Sequence, residues 1–454
     1  MSVASAETTS ERTTVLSLPI ELVREMFLYC APTTAELETG PLTRLPPLVL
    51  TAVCHHWREI ALSMPEIWST IHLTIATHDS DAVPFIQRWL SRAQQQPLDI
   101  SLSLVSSDHD QRLVELFESY RAQWKEIALK VSSRYLVELS ATIPIPSIRR
   151  LSLDAFDTDA DAETPQIKAF QIAPMLQHLT LGLLPRPSQL DVPYHQLTSL
   201  TFTKTRPEDL LRCLLMTPRL VKCVADVNID SFGAPALGAI PASSLPKLEY
   251  FSLRGSNLTA YIIRLLTIPA LASLGFTERG GLNAEDLTAI SFFFERSSVF
   301  HNLRSLQLYF IRGAMTQHVL ELLATLPGLE QLDFDATEAQ TVASLFTKML
   351  SIYESDSTAH DSFLPKLQSL RVTTHRKYDA GAHEMLCALC DVVTERCQTP
   401  ELTDHGDFVF LSRIELKMEY NDATPDEWML HIWRNAKLRG VQLNVQTRNF
   451  RRWV

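Results

Sequence analysis

A six-residue pattern recurs along most of this 454-residue chain: an apolar residue, two variable residues, an apolar residue, one variable residue and a third apolar residue. Alternating apolar positions are typical of a strand with one buried face, so each copy predicts a short strand. Proline often stands two residues before a copy, as at Pro146, Pro218 and Pro327. The twelve copies are Trp124/Ile127/Leu129, Ile148/Leu151/Leu153, Leu176/Leu179/Leu181, Leu197/Leu200/Phe202, Leu220/Cys223/Ala225, Leu248/Phe251/Leu253, Leu271/Leu274/Phe276, Leu303/Leu306/Leu308, Leu329/Leu332/Phe334, Leu367/Leu370/Val372, Leu411/Ile414/Leu416 and Leu438/Val441/Leu443.

Helical patterns separate many of these strands, at 208–216, 258–266, 284–295, 316–326, 342–353 and 383–397. Strand, helix, proline and strand in succession predict parallel strands joined by right-handed crossovers. The copies begin mostly 21 to 28 residues apart, with late gaps of 32, 38 and 44, close to the leucine-rich repeat period of about 20 to 29.

Residues 121–454 therefore resemble a leucine-rich repeat array. The asparagine that this family places after each strand is mostly absent: Ser256 stands there in one unit, and Leu184 and Ile311 in others. The resemblance implies an α/β fold, an irregular solenoid with a parallel sheet. A non-repetitive α/β domain is the alternative.

The stretch before the array has a different pattern. Apolar residues four apart around Leu18, Leu22 and Met26 predict an amphipathic helix. Val49, Val53, Trp57 and Ile60 are spaced so as to share one face of a second predicted helix, which Pro65 ends. A short third segment follows. Three short helices bury little surface alone, since small domains hide only about 60% of their unfolded surface. A partner for this stretch is therefore plausible.

The same residues resemble an F-box, most closely its fungal type. The motifs are Leu-Pro-x-Glu-Leu at 18–22, Val-Cys-x-x-Trp-Arg-x-Ile at 53–60 and Ile-Trp at 67–68, with an unusually long link at 33–46. The family docks on the Skp-type adaptor of an SCF cullin-RING ubiquitin ligase. The resemblance implies that the adaptor-binding residues are Leu18, Pro19, Glu21, Leu22, Phe27, Val53, Cys54, Trp57, Arg58 and Ile60.

The predicted organisation has four parts: a disordered tail at 1–15, an F-box-like helical module at 16–75, a transition segment at 76–120 and the solenoid at 121–454. The transition segment itself has helical patterns at 85–92 and after 112, with an alternating strand pattern at 98–104 between them. An alternative is that the helical hairpin merely caps the solenoid of a non-ligase interaction scaffold.

Variable positions between the buried ones should face the concave side of the predicted solenoid. Tyrosine and arginine are the residues most enriched among interface hot spots. Tyr250, Arg254, Tyr309 and Arg371 are therefore the candidates for binding an unidentified protein substrate.

The composition limits the classes of partner and the cellular compartments that are expected. A net charge of −11 argues against general nucleic-acid binding. The sequence contains no run of 18 apolar residues, so no membrane-spanning helix is predicted. The first residues lack the pattern of a signal peptide. Seven irregularly spaced cysteines suit a reducing compartment, so a cytoplasmic or nuclear location is expected.

No catalytic, cofactor or metal motif stands out. His383, Cys387 and Cys390 lack the second ligand pair of a zinc site. The acidic stretch at 154–163 lacks the glycine and final glutamate of a calcium loop, and the basic, aromatic segment at 446–454 is either a cap or a partner contact. We expect a non-enzymatic substrate receptor without cofactor; an enzyme with an unrecognised site is the remaining alternative.

Overall fold

The computed structural model describes residues 18–30, 45–75, 82–104, 111–139, 143–155, 166–182, 187–227, 241–255, 259–278, 281–311, 315–350, 363–375, 381–397, 409–419 and 425–447. The expectations for the tail at 1–15, for most of the link at 33–46 and for residues 448–454 fall outside these ranges. The chain forms two compact units: Met1–Leu176 with Leu183–Pro193, and Gln177–Gly182 with Tyr194–Val454.

The first unit combines helices with parallel strands. Its elements are α1 (Ile20–Tyr29), α2 (Pro46–Val53), α3 (His55–Leu62), β1 (Thr70–Ile75), α4 (Ala82–Ala93), β2 (Leu98–Leu104), α5 (Gln111–Ser119), β3 (Trp124–Val131), α6 (Ser133–Glu138) and β4 (Arg150–Ala155). The four strands pair in chain order, each parallel to the next.

The predicted second helix is divided in two. Cys54 has an extended backbone, with φ −158° and ψ 171°, and separates α2 from α3. Its sulfur accepts a hydrogen bond from the Trp57 backbone N–H and so caps α3. The expectation that Val49, Val53, Trp57 and Ile60 share one helical face is therefore wrong.

Trp68 joins α3 to α4. Its ring is fully buried, and its indole N–H donates to the Ala61 carbonyl at 2.9 Å. The Trp89 ring of α4 packs edge-on against it at 4.8 Å and donates its own N–H to the Trp68 carbonyl at 2.8 Å. The Arg92 guanidinium covers Trp68 at 4.4 Å. The Ile-Trp pair is thus the joint between α3 and α4.

Parallel strands begin earlier than the predicted boundary at residue 121. β1 pairs with β2 from Thr70↔Asp99 to Ile75↔Leu104, and β2 pairs with β3 in turn. The helix at 85–92 and the strand at 98–104 are confirmed as α4 and β2. The transition segment therefore continues the same strand-and-helix alternation.

The second unit is also a mixed α/β assembly with parallel strands. Its elements are β5 (His178–Leu181), β6 (Ser199–Thr205), α7 (Pro207–Met216), β7 (Lys222–Val227), β8 (Ser243–Ser244), β9 (Tyr250–Gly255), α8 (Thr259–Arg264), β10 (Leu266–Thr267), β11 (Ser273–Glu278), α9 (Ala284–Ser297), β12 (Ser305–Ile311), α10 (Thr316–Ala324), β13 (Gln331–Ala336), α11 (Ala339–Leu350), β14 (Ser369–Thr374), α12 (Ala382–Arg396), β15 (Arg413–Met418), α13 (Glu427–Leu438) and β16 (Gln442–Thr447).

These strands pair in the order β5-β6-β7-β9-β11-β12-β13-β14-β15-β16, and β8 and β10 form a separate short pair. Burial alternates along them, so the repeated apolar positions form the core, as predicted. The last copy is the exception. Leu438 ends α13 and is 85% exposed, whereas Leu443 and Val445 of β16 pair with Ile414 and Leu416. That copy therefore begins two residues later than predicted, at Gly440.

Arginine side chains join successive repeats, where a repeat is one strand with the helix that follows it. The repeats mostly lack the asparagine that leucine-rich repeats place after each strand. Arg296, at the end of α9, donates to the carbonyls of Ile263 and Leu266 at 2.6 to 3.1 Å. Arg396, at the end of α12, is buried and donates to the Leu364 carbonyl at 2.8 Å. Each guanidinium supplies several fixed donors to backbone carbonyls of the preceding repeat.

None of the helices in the described ranges combines the length and the apolar character needed to span a membrane.

Replacing Trp68 with alanine should lower the free energy of unfolding by about 3–5 kcal/mol, because the change removes a buried aromatic and leaves a cavity. Urea denaturation followed by circular dichroism measures the loss. The matched control is Trp428→Ala on α13, where the side chain is 49% exposed and we expect a change within about 0.5 kcal/mol. Equal losses in the two variants would contradict the role given to Trp68.

Candidate interaction surfaces

The helices α1, α2 and α3 expose an unusual number of large apolar side chains. Leu22 and Met26 are one turn apart on α1, and Val49 and Val53 are one turn apart on α2, so each pair is contiguous on its helix. The exposed apolar set, each member at least 40% exposed, is Ile20, Leu22, Met26, Leu28, Tyr29, Val49, Val53 and Leu62. Large exposed apolar surfaces commonly mark binding sites.

The predicted adaptor-binding residues separate into two groups. Pro19, Glu21, Leu22, Val53 and Arg58 are exposed, while Leu18, Cys54 and Trp57 are partly exposed. Phe27 and Ile60 are only 1% and 3% exposed. Their burial conflicts with a direct contact to a partner.

Phe27 and Ile60 instead build the interior of the helices. The Phe27 ring lies edge-on to Trp57 at 5.1 Å and so joins α1 to α3. Arg58 donates its Nε–H to the Thr51 carbonyl at 2.7 Å, which closes the α2–α3 corner. The motif residues thus divide between supporting the corner and presenting its apolar exterior.

A second candidate surface is the polar strand face, made of the side chains on β12 to β15 that point away from the core. Strand register aligns Gln307, Asp333, Arg371 and Glu415 in one row across the four strands. Aligned side chains on neighbouring strands are close enough to interact. Polar and charged side chains on this face form two hydrogen-bonded chains.

The first chain centres on Asp333. The Tyr309 hydroxyl donates to its carboxylate at 2.9 Å, and Arg371 approaches the same oxygen at 3.4 Å. Arg371 also donates its Nε–H to Glu415 at 3.1 Å. Burial and the neighbouring Asp333 carboxylate raise the pKa of Tyr309. Burial outweighs both donors and raises the pKa of Asp333.

The second chain centres on His375, immediately after β14. One ring nitrogen lies 2.8 Å from the Asp335 carboxylate and the other 2.9 Å from Glu419. Lys417 donates to Glu419 at 2.6 Å. The bond to Asp335 contributes most to the raised pKa of His375, and the Lys417 ammonium contributes most to the lowered pKa of Glu419.

The four predicted substrate-binding residues do not form a single cluster. Tyr309 and Arg371 meet at Asp333, whereas Tyr250 and Arg254 lie on β9, with β11 between them and β12. The Lys222 ammonium lies 5.1 Å from the Tyr250 ring centroid.

Gly275 of β11 lies between Tyr250 on β9 and Tyr309 on β12. A Cβ atom at Gly275 of β11 would lie 3.1 Å from Oε1 of Gln307 and 3.2 Å from Oγ of Ser252. The absence of a side chain at Gly275 leaves room for the side chains of Gln307 and Ser252 on the neighbouring strands. The surface between Tyr250 and Tyr309 therefore has no projecting side chain at this position.

Sequence reasoning did not select the carboxylates or the histidine of the polar strand face. Asp333 and Glu415 stand at variable positions of their copies, which the alternation predicts to face outward, but the sequence alone gives no reason to single them out. His375 and Glu419 lie just beyond the strands and are not among the predicted contact residues. The bonds of these residues across neighbouring strands join positions 24 to 44 residues apart in sequence, so only the strand register brings them together.

The thiols do not form a metal site within the described ranges, where no group of three or more His, Cys, Asp and Glu side chains is arranged to hold a metal ion. Burial raises the pKa of Cys390 and of Cys397 to about 12. Both thiols are therefore protonated at neutral pH in the metal-free protein.

A comparison with protein-family models found no match, and a comparison with curated proteins found no significant similarity. The functional reading therefore rests on the motifs and on the two surfaces described above.

A double-mutant cycle of Tyr309→Phe and Asp333→Asn should give a coupling energy of about 1 kcal/mol, because the hydroxyl donates to a partly buried carboxylate. Unfolding free energies of the wild type, the single variants and the double variant measure it. The control cycle, Arg150→Met with Glu126→Gln, removes an exposed pair at 3.3 Å and should give about 0.5 kcal/mol or less. A coupling indistinguishable from zero for Tyr309 and Asp333 would contradict the first chain.

Proposed function

We propose that this protein is a non-enzymatic substrate-recognition subunit of an SCF-type cullin-RING ubiquitin ligase. Its N-terminal helices dock on the Skp-type adaptor, and its strand-bearing part holds a target protein. Other subunits carry out the chemistry, and the receptor contributes by raising the local concentration of the target near the ubiquitin-charged enzyme.

The observation that carries this proposal is the exposed apolar set on α1, α2 and α3. Fully burying one such side chain is worth about 1.5–3 kcal/mol, so several together supply the affinity that a stable complex needs. Leu22 and Val53, which are 52% and 56% exposed, belong both to this set and to the motifs that resemble an F-box.

The exposure of this set supports docking over capping. A hairpin that only capped the neighbouring strands would have its apolar surface covered by residues 76–130. Trp68 is covered in this way, by Trp89 and Arg92. Leu22, Met26, Val49 and Val53 remain exposed. The non-ligase scaffold, which leaves these side chains without a partner, is therefore the second candidate.

We further propose that the strand-and-helix units form an irregular leucine-rich-repeat-like solenoid. The parallel pairing, the alternating burial and the arginines Arg296 and Arg396 that bond to the preceding unit support this. In a solenoid each unit contacts chiefly its neighbours, and its strand face is available to a partner. Such a receptor would act in the cytoplasm or nucleus, where cysteines stay reduced.

The target protein would bind the polar side chains of the strands. Tyr250, Arg254, Tyr309 and Arg371 remain the proposed contacts, because tyrosine and arginine give large, hydrogen-bonding interface side chains. Asp333 and Glu415 would position Arg371 by accepting its guanidinium bonds.

The adaptor contact is tested with two exposed positions in the full chain. Leu22→Glu and Val53→Glu each place a charge where apolar burial is proposed, and each should weaken adaptor binding at least tenfold, or about 1.4 kcal/mol. The double variant should fail to co-purify with a purified Skp-type adaptor. Truncation near residue 76 is less informative, since it deletes β1 and uncovers Trp89.

The matched control is Leu438→Glu, a leucine that is 85% exposed on α13. It should retain wild-type adaptor binding. Undiminished binding of the Leu22 and Val53 variants would refute docking through this surface. Absence of binding by the wild type would favour the scaffold.

A further inference from the structure

His375 joins carboxylates from the strands on both sides of its own. Asp335 belongs to β13, and Glu419 directly follows β15, so the ring spans three neighbouring strands. The His375 side chain is 22% exposed, which lets solvent protons reach it, whereas the Asp335 side chain is only 8% exposed.

Hydrogen-bond chemistry ties this geometry to the charge of the ring. An ionised carboxylate only accepts hydrogen bonds, so two carboxylates require N–H groups on both ring nitrogens. Only the imidazolium has both. A neutral ring carries one N–H and turns a lone pair towards the other carboxylate, so loss of the proton must break one contact.

The two carboxylates do not depend equally on the ring. Glu419 also accepts a hydrogen bond from Lys417 at 2.6 Å, and its side chain is 29% exposed. Asp335 is nearly buried, and a buried carboxylate without a donor is costly. The neutral ring should therefore keep its bond to Asp335 and release Glu419.

The surrounding charges are mixed. β13 contributes Asp333 and Asp335, β14 contributes Arg371, and β15 contributes Glu415 and Lys417, followed by Glu419. Arg371 is held by Asp333 and Glu415. Arg376 and Lys377 follow His375 in sequence, outside the described ranges. The described ion pairs thus leave His375 as the cation that contacts Asp335.

We propose that His375 is a proton-dependent clasp that holds the ends of β13 and β15 together and opens at Glu419 when the ring loses its proton. In the closed state Glu419 is shared between His375 and Lys417. In the open state the Glu419 carboxylate leaves the His375 ring and stays bonded to Lys417, while the backbone pairing of β14 with β15 is unchanged. The side-chain rearrangement alone changes the charge pattern of the polar strand face. This inference concerns the protein alone and does not require the proposed ligase function.

The stability consequence follows from the direction of the pKa change. The pKa of His375 is raised in the folded protein, mainly by its bond to Asp335. The stabilisation by the clasp is therefore complete below the unfolded imidazole pKa of about 6.5, and it is lost as pH rises through the folded value.

The first test is an NMR titration of the full chain with histidine labelled at Cε1, with His375→Gln used to assign the signal. The clasp predicts that His375 titrates above about pH 6.5. It also predicts that Glu419→Gln, which removes one carboxylate and leaves Asp335, lowers that midpoint. A His375 midpoint at or below about 6.5, or one that Glu419→Gln leaves unchanged, would overturn the inference.

Urea unfolding at several pH values gives a second readout. The ratio of the unfolding constants of His375→Gln and wild type should be largest at acidic pH and should shrink as pH rises. His318→Gln, at an exposed position on α10, should reproduce the wild-type pH dependence. A ratio for His375→Gln that stays constant across the range would contradict the clasp. His375→Asn replaces His375→Gln, both for assigning the signal and for the unfolding series, if His375→Gln does not fold.

Discussion

The core and the polar strand face both depend on the register in which each parallel strand pairs with the next. Register places Leu332, Leu370 and Ile414 in one buried row, so each strand completes the core only with its neighbours. The same alignment puts Asp333, Arg371 and Glu415 in one outward row. A slip of one residue in any strand would exchange these two faces. The apolar core therefore fixes the polar chemistry on the opposite side of the strands.

Charged side chains bond to backbone groups of the neighbouring repeat. Arg296 and Arg396 bond to carbonyls of the preceding unit, and Asp286 accepts the Ala260 backbone N–H. These contacts replace a regular ladder of one residue type. They differ from unit to unit, which accommodates spacings between units of 21 to 44 residues.

Most of the strands could be predicted from the sequence because apolar spacing alone specifies which side of a strand is buried. The break at Cys54 could not, since no proline or glycine marks it and the cap depends on a sulfur atom. The start of the last copy was predicted two residues too early, because Leu438 fits the apolar spacing although it ends α13 and is exposed. The exposed side of the adaptor motifs was partly predictable, but the burial of Phe27 depends on its contact with Trp57. The hydrogen-bonded chains through Asp333 and His375 could not be predicted, because they depend on the register between strands that are neighbours in the sheet but far apart in sequence.

The central claim is that the apolar exterior of α1, α2 and α3 is a docking site for a Skp-type adaptor. Isothermal titration calorimetry of the purified full chain with the purified adaptor, repeated at several temperatures, tests it most directly. Burial of apolar surface on both partners predicts saturable one-to-one binding with a negative heat-capacity change. The absence of binding at every temperature, or binding without a heat-capacity change, would contradict the claim.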